Sequence, residues 1–578
     1  MHRCRTAASA ALLLLAACSD DVSSATADDT SSTGVDSGVT GDDATVDPDP
    51  STSSTTTDGP MTTAAGESSS STGTVEPIEP LPWQTDCAAP GGYDLQRLDP
   101  DIECVAIEVP LDWDTPDGDL IVVAALRIPA DTPERVGTFW ALDGGPGGSG
   151  LGYALDDGWV DEITAAGWDI IITPHRGTFS PRLECIALDP RSAACRESLE
   201  ETWGDGLRHF NTRWAAHDVH AFIERERAVE DEPVVVYGVS YGTYWAQFFE
   251  GEFPGVASSI ILDSAVPTDA DLALEEYLVQ DIATQLLQTC VDDPTCGPAV
   301  GFESGEAFAD AVLAAIDDGD CGGSDTGLWE ETDYRLLFGQ LINLQTTRNY
   351  VPLLAGLLSR CEPELTAIAD TAMNSLFALG TAAARPGDRS PLLDGTPPDF
   401  QIMFSGPLQS AVIATTMLAA DATPAQAELD AERHIASLTF GTLMTEIQEG
   451  WGSLPPIEFD RDFVSQTPML VLNASYDLQT VFPWAEQVAA QHDQPLVEFG
   501  DARHGVTLSG TGGKSLTGDS CARSLMLGFM NEPTATPDTS CVESLPEIDP
   551  GLQRLDLAPI TMQAFGTDDP WSLLPPLE

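Results

Sequence analysis

Past residue 100 the chain is marked by short, unbroken apolar runs and not by long amphipathic ones. Two come first, Cys104-Val-Ala-Ile-Glu-Val-Pro-Leu and Leu120-Ile-Val-Val-Ala-Ala-Leu-Arg-Ile, and they predict an antiparallel opening to a sheet. Shorter runs follow at Thr138–Leu142, Trp168–Ile172, Pro233–Tyr237, Ser259–Leu262, Pro468–Leu472 and Pro495–Phe499. Continuous apolar runs alternating with helical stretches indicate a parallel sheet buried on both faces. The alternation stops between about Thr268 and Asp460, where the sequence is Leu- and Ala-rich with helical patterning, as at 336–358. The expected architecture is therefore α/β. A mostly parallel core comes from residues 81–267 and 460–578, with a mainly helical cap, 268–459, inserted into it. There is no internal repeat.

The first eighty residues are of a different kind. Arg3 and Arg5 precede an apolar stretch from Ala7 to Ala17, too short to span a bilayer as a mature helix. It ends Leu15-Ala16-Ala17-Cys18, which resembles a bacterial lipobox; that resemblance implies a signal peptide of residues 1–18 and a lipid on Cys18. An ordinary secretory signal is the alternative, with Cys18 incidental. Residues 19–80 hold Ser, Thr, Gly, Asp and Pro without a single Lys, Arg or aromatic residue. Such a segment cannot bury enough apolar surface to offset its ordering entropy, and a disordered tether is expected. The location implied is export, with a lipid anchor in the cell envelope.

Charge narrows the partners. The 578 residues carry 24 Lys plus Arg against 93 Asp plus Glu, a formal net charge of −69. Only thirteen of those acids lie in the tether, so the folded part is itself strongly acidic. Phosphate repels such a surface, which excludes nucleic-acid binding driven by net charge. Lys514, the only lysine, sits in a Gly/Ser/Thr-rich loop and makes a poor Schiff-base candidate. With 42% hydrophobic residues and 12 Trp the remainder can build a substantial core.

Twelve cysteines are present. Setting aside Cys4 and Cys18 leaves an even ten, which in an exported chain reads as five disulfides. Spacing suggests the local pairs Cys87–Cys104, Cys185–Cys195, Cys290–Cys296, Cys321–Cys361 and Cys521–Cys541. A metal site is the rival reading, but no CxxC pair exists and no His lies at ligand spacing. No metal and no cofactor is expected.

The chemistry gathers at strand ends. The run Pro233–Tyr237 leads into Gly238-Val-Ser-Tyr-Gly-Thr243 and a helical stretch, placing G-x-S-x-G between a strand and a helix. Glycines there permit a sharp turn that lifts the Ser240 hydroxyl above the sheet. A serine needs a base, and the base an orienting acid. Of eight His, His504 follows the last apolar run and Asp477 follows the run before it. Ser240, Asp477 and His504 thus occur in the order Ser…Asp…His, each just past a strand. His217 and His220 read as a helix face, and His175 lies after a core strand without being the base. An oxyanion needs two backbone N–H donors. Tyr241 offers one, and the loop Asp143-Gly-Gly-Pro-Gly-Gly-Ser-Gly150 the other. A phosphate loop is disfavoured, since no Lys follows and Pro146 removes a donor.

Gly-Gly-Pro-Gly-Gly at 144–148, His-Arg-Gly-Thr at 175–178 and Gly-Val-Ser-Tyr-Gly-Thr at 238–243 resemble the tripeptidyl aminopeptidase and proline iminopeptidase branch of the α/β-hydrolases. The stretch Ser520-Cys-Ala-Arg to Cys541 resembles the tail of the secreted tripeptidyl aminopeptidases. The resemblance spans roughly 85–545 and is weakest in the cap; where the family has Asp two residues before the Arg-Gly, this chain has Pro174. It implies an α/β-hydrolase core with Ser240 as nucleophile, Asp477 as orienting acid, His504 as base, and Gly145 and Tyr241 as oxyanion donors. It also implies a peptide substrate, trimmed by one to three residues from its N-terminus. In the family the cap commonly presents acidic groups to the substrate amine; Glu275 and Glu276, which open the cap here, are candidates. Two other readings stay open, an esterase or amidase on small metabolites and an inactive hydrolase-fold surface binder. The intact four-part constellation argues against the second.

Overall fold

The computed structural model describes residues 81–576 apart from 90–91, 228–230, 273–274, 318–330, 384–399, 419–424, 427–432, 453, 455–456 and 509–519. Eight strands form one sheet: β1 (Glu103–Pro110), β2 (Leu120–Ile128), β3 (Gly137–Leu142), β4 (Trp168–Ile172), β5 (Val234–Val239), β6 (Ser259–Asp263), β7 (Met469–Ala474) and β8 (Leu496–Phe499). Their order is β1-β2-β4-β3-β5-β6-β7-β8. The β1–β2 and β2–β4 pairs are antiparallel and every other pair is parallel.

Each apolar run became a strand because its residues serve two cores at once. Side chains of a strand point alternately to the two faces, and the runs divide accordingly. Trp140, Val234, Val236, Ile260, Leu262, Met469 and Val471 enter one cluster. Phe139, Val235, Tyr237, Ile261, Leu470 and Leu472 enter the other. Helix α1 (Asp157–Ala165) contributes Trp159 and Ile163 to the second cluster, as α5 (Cys521–Asn531) does with Leu525 and Phe529. Helices α2 (Thr212–Glu226), α3 (Tyr241–Glu252) and α4 (Phe482–His492) pack on the first. The strand expected to stop at Tyr237 continues two residues further, into the G-x-S-x-G motif.

Between β6 and β7 no strand occurs among the described residues. Helices Glu275–Asp292, Gly305–Asp317, Glu331–Asn343, Val351–Ser359, Pro363–Ala383 and Phe440–Trp451 fill the insertion. The helix Ala558–Phe565, near the C-terminus, lies against these inserted helices, with the Tyr350 hydroxyl donating to the Leu557 carbonyl at 2.8 Å. Bridges Cys87–Cys104, Cys185–Cys195, Cys290–Cys296 and Cys521–Cys541 are formed. Cys361 is disulfide-bonded, while Cys321, Lys514 and everything through residue 80, including Cys18, lie outside the described residues. No described helix is long and apolar enough to cross a membrane.

Candidate active site

Ser240 stands between β5 and α3 with φ 57° and ψ −128°. A positive φ is costly for any residue but glycine and marks stored strain. The turn therefore strains the serine itself. Its glycine neighbour Gly242 is required for a different reason, close approach: a Cβ there would sit 2.1 Å from the Leu142 carbonyl oxygen. The elbow is locked by Ser240 N–H donating to the Asp263 carbonyl (3.0 Å) and by Thr243, whose N–H (2.8 Å) and hydroxyl (2.6 Å) both donate to the Ser240 carbonyl. The N-terminus of α3 lies directly behind the hydroxyl, favouring negative charge there.

Asp477 and His504, 27 residues apart, are brought together. His504 Nδ1 lies 2.8 Å from Asp477 Oδ2 and 3.1 Å from Oδ1. The Thr480 hydroxyl donates to Oδ2 at 2.8 Å, and the N–H groups of Gln479 (2.9 Å) and Thr480 (3.0 Å) donate to Oδ1. Asp477 is fully buried. Burial disfavours its charge, yet His504 and these donors outweigh it and hold the carboxyl below its ordinary value.

The loop carrying His504 is fastened by a residue that the sequence reading passed over. Asp263, the last residue of β6, accepts from Val506 N–H (2.7 Å), Thr507 N–H (2.9 Å), the Thr507 hydroxyl (2.7 Å) and the Tyr237 hydroxyl (3.0 Å). The next residue, Ser264, accepts Gly505 N–H at 2.8 Å. Asp263 thus ties the serine elbow, through its backbone, to the histidine loop, through its side chain. An acid closing an otherwise apolar strand was the signal available in the sequence.

The Gly-rich loop follows β3. Asp143, buried enough to raise its pKa, accepts Gly144 N–H and Gly150 N–H at 2.8 Å each and closes the loop on itself. Gly145 has φ +117°, a region open to glycine, and its neighbour Gly144 sits beside the nucleophile: a Cβ there would lie 3.3 Å from Ser240 Oγ. The insertion is hydrogen-bonded to this loop. Ser149 N–H donates to the Met403 carbonyl (3.0 Å) and Ser405 N–H to the Gly147 carbonyl (2.9 Å). The Phe404 ring packs against Gly145 and Gly147.

Beneath the elbow, the Tyr241 hydroxyl lies 2.8 Å from Thr212 Oγ1 and 3.1 Å from His175 Nε2. His175 is buried, which pushes its pKa down to about 3, so it is a neutral packing partner of Trp245 and not a base. Arg176 is spent on Asp218 and on the carbonyls of Pro110, Leu111 and His209. His220 stacks on Phe253 and His217 meets it edge-on, as a helix face would. Glu275 is buried, whereas the side chain of Glu276 lies outside the described residues. No group of three or more His, Cys, Asp or Glu among the described residues is arranged to hold a metal ion.

The sheet order, with a strained serine after β5, an acid after β7 and a histidine after β8, defines an α/β-hydrolase fold. No family model matches the chain. Serine protease Hip1 of Mycobacterium tuberculosis is 28% identical over 194 residues, covering 29% of this chain and 36% of that protein. Tripeptidyl aminopeptidase of Streptomyces lividans is 28% identical over 232 residues, covering 35% and 42%. The chain therefore spans less than half the length of these curated relatives, whose names bear out the resemblance to the tripeptidyl aminopeptidase branch. Among solved structures, proline iminopeptidase of Mycobacterium smegmatis matches with a TM-score of 0.31 at 15% identity, covering 74% of this chain and 98% of that one.

Proposed function

We propose that this chain is an exported serine aminopeptidase, anchored through a lipid on Cys18 and releasing one to three residues from peptide N-termini. The observation that carries the reading is the Asp477–His504 pair at 2.8 Å, set on adjoining strand ends with the strained Ser240. Ser240 Oγ attacks the scissile carbonyl while His504 Nε2 takes its proton, and Asp477 holds Nδ1–H and steadies the imidazolium. The N–H groups of Gly145 and Tyr241 receive the oxyanion. Collapse breaks the C–N bond, His504 hands its proton to the departing amine, and water activated by the same histidine releases the acyl group. Residues 268–459 act as the cap over this site, with 81–267 and 460–578 as the core. Five disulfides, the fifth being Cys321–Cys361, suit an oxidising compartment.

So large an insertion beside the nucleophile favours a closed pocket over an open groove, hence chain ends over internal bonds. A buried acid such as Glu275 suits a free α-ammonium. Blocking that amine removes the charge an acid of the cap would meet, at a cost of roughly 1–3 kcal/mol. N-acetylated peptide amides should therefore fall at least about tenfold in kcat/KM against their free counterparts. Equal rates on the two sets, with fast turnover of simple acyl esters, would replace the aminopeptidase by an esterase or amidase.

A further inference from the structure

Arg503 immediately precedes His504, so the two Cα atoms lie about 3.8 Å apart. In a chain with 93 acids and 24 Lys plus Arg, a surface arginine has carboxylates to spare. Arg503 has none. Its Nε is buried without a hydrogen-bond partner, and the guanidinium finds no ion pair among the described residues. The acids adjoining it in the chain face other groups. Asp501 Oδ2 takes Arg554 Nη1 at 3.1 Å, and its Oδ1, which makes no hydrogen bond, lies 3.7 Å from Arg348 Nη1. Glu498 takes the Ser475 hydroxyl at 2.7 Å, and Asp477 belongs to His504. A charge that Arg503 does meet is that of Arg348, itself buried and bonded to the carbonyls of Ile342 and Ala502. Burial foremost, and then Arg348, push the Arg503 pKa down to about 10, still charged at neutral pH.

A half-buried cation without a counter-ion is a costly arrangement, and such groups call for a missing partner. We propose that Arg503 is a carboxylate-binding residue of the substrate site, reading an acidic group close to the scissile bond. A guanidinium presents two parallel N–H donors that match a carboxylate fork to fork, and burial strengthens the contact. On a peptide that carboxylate has two sources: an Asp or Glu side chain on the residue supplying the scissile carbonyl, or the free C-terminus of a short leaving segment. This inference rests on the peptidase reading for its substrate, while the cation itself does not.

The test uses the full chain and two matched substrate pairs with free N-termini. One pair carries Glu or Gln before the cleaved bond. The other carries a C-terminal acid or amide on a short leaving peptide. The wild-type protein should favour the acidic member of one pair by at least about tenfold in kcat/KM, chiefly through KM. Which pair responds identifies the source. Arg503→Met should collapse that ratio to about twofold or less, and Arg503→Lys, which keeps charge but loses the fork, should fall between. A wild-type ratio near one in both pairs overturns the proposal whether or not the variants fold. If no peptide is cleaved, thermal unfolding with excess glutarate against glutaramide decides instead. Stabilisation by glutarate in the wild type and not in Arg503→Met supports the carboxylate site and rejects only the peptidase reading. Cleavage of neutral peptides with no acidic preference does the reverse.

Discussion

The two loops flanking Ser240 are held in different ways. The histidine loop is fastened from the sheet on the far side of His504, where Ser264 takes Gly505 N–H and the Asp263 carboxylate takes Val506 and Thr507, while Gln345 and Arg348 of the insertion donate to the Asp501 and Ala502 carbonyls on the near side. The Gly-rich loop is closed by its own Asp143 and then bonded to the inserted segment through Met403 and Ser405. The half of the site that moves protons is thus set by core side chains from Gly505 onward. The half that polarises the carbonyl is shared with the insertion. A change near Met403–Ser405 therefore reaches the oxyanion donors directly, whereas the insertion meets the histidine loop only upstream of His504, at the Asp501 and Ala502 carbonyls.

Ser240→Ala sets the floor of the comparison, because both halves act on this hydroxyl. Turnover should fall by at least about 10⁴-fold and fluorophosphonate labelling should cease, with the unfolding transition kept. A variant that still labels places the nucleophile elsewhere.

Asp263→Asn breaks the core-held half. An amide nitrogen turned toward Val506 or Thr507 meets a donor with a donor, so the histidine loop shifts. We expect kcat/KM to drop about 10- to 100-fold. In a His504→Ala background the same change should add almost nothing, because its route runs through the histidine. Additive losses would mean that Asp263 merely supports the fold.

Phe404→Ala loosens the shared half while leaving its backbone hydrogen bonds in place. The ring contact on Gly145 and Gly147 is lost, and kcat should fall about three- to tenfold, with labelling of Ser240 slowed in parallel. Slower peptide turnover at an unchanged labelling rate would assign Phe404 to substrate contact alone.

The same contrast governs what the sequence discloses. Strand runs are legible because both faces of the sheet are apolar, and chemistry at strand ends follows from strand order. Ser240, Asp477 and His504 could therefore be picked from one chain. Asp263 was missed because its work lies in hydrogen bonds to residues more than 240 positions away, and spacing carries no trace of them. The bond from Ser405 to Gly147 escaped for the same reason. Arg503 escaped as well, since nothing in a sequence says that an arginine meets no carboxylate among the described residues.

The smallest effect is expected beneath the elbow, from Tyr241→Phe. His175 Nδ1 lies 2.8 Å from the Arg176 carbonyl, so it carries the ring proton, and Nε2 accepts from the Tyr241 phenol at 3.1 Å. The phenol in turn accepts from Thr212. With the folded pKa of His175 near 3 and the ordinary value at 6.5, the unfolded chain takes a proton first. Stability is consequently lost as pH falls from about 6.5 toward 3, by up to about 1.4 kcal/mol per pH unit from this group. Removing the phenol leaves Nε2 and the Thr212 hydroxyl buried without their partner, at a cost of about 1–3 kcal/mol at neutral pH. It also removes a donor that favours the unprotonated Nε2, so the folded pKa rises while burial still holds it below its ordinary value, and the acid-side loss flattens. Urea midpoints at pH 7 and pH 5 read both effects. The variant should be the weaker at pH 7, with the gap narrowing at pH 5, and a gap of constant width would detach His175 from this hydrogen-bond chain.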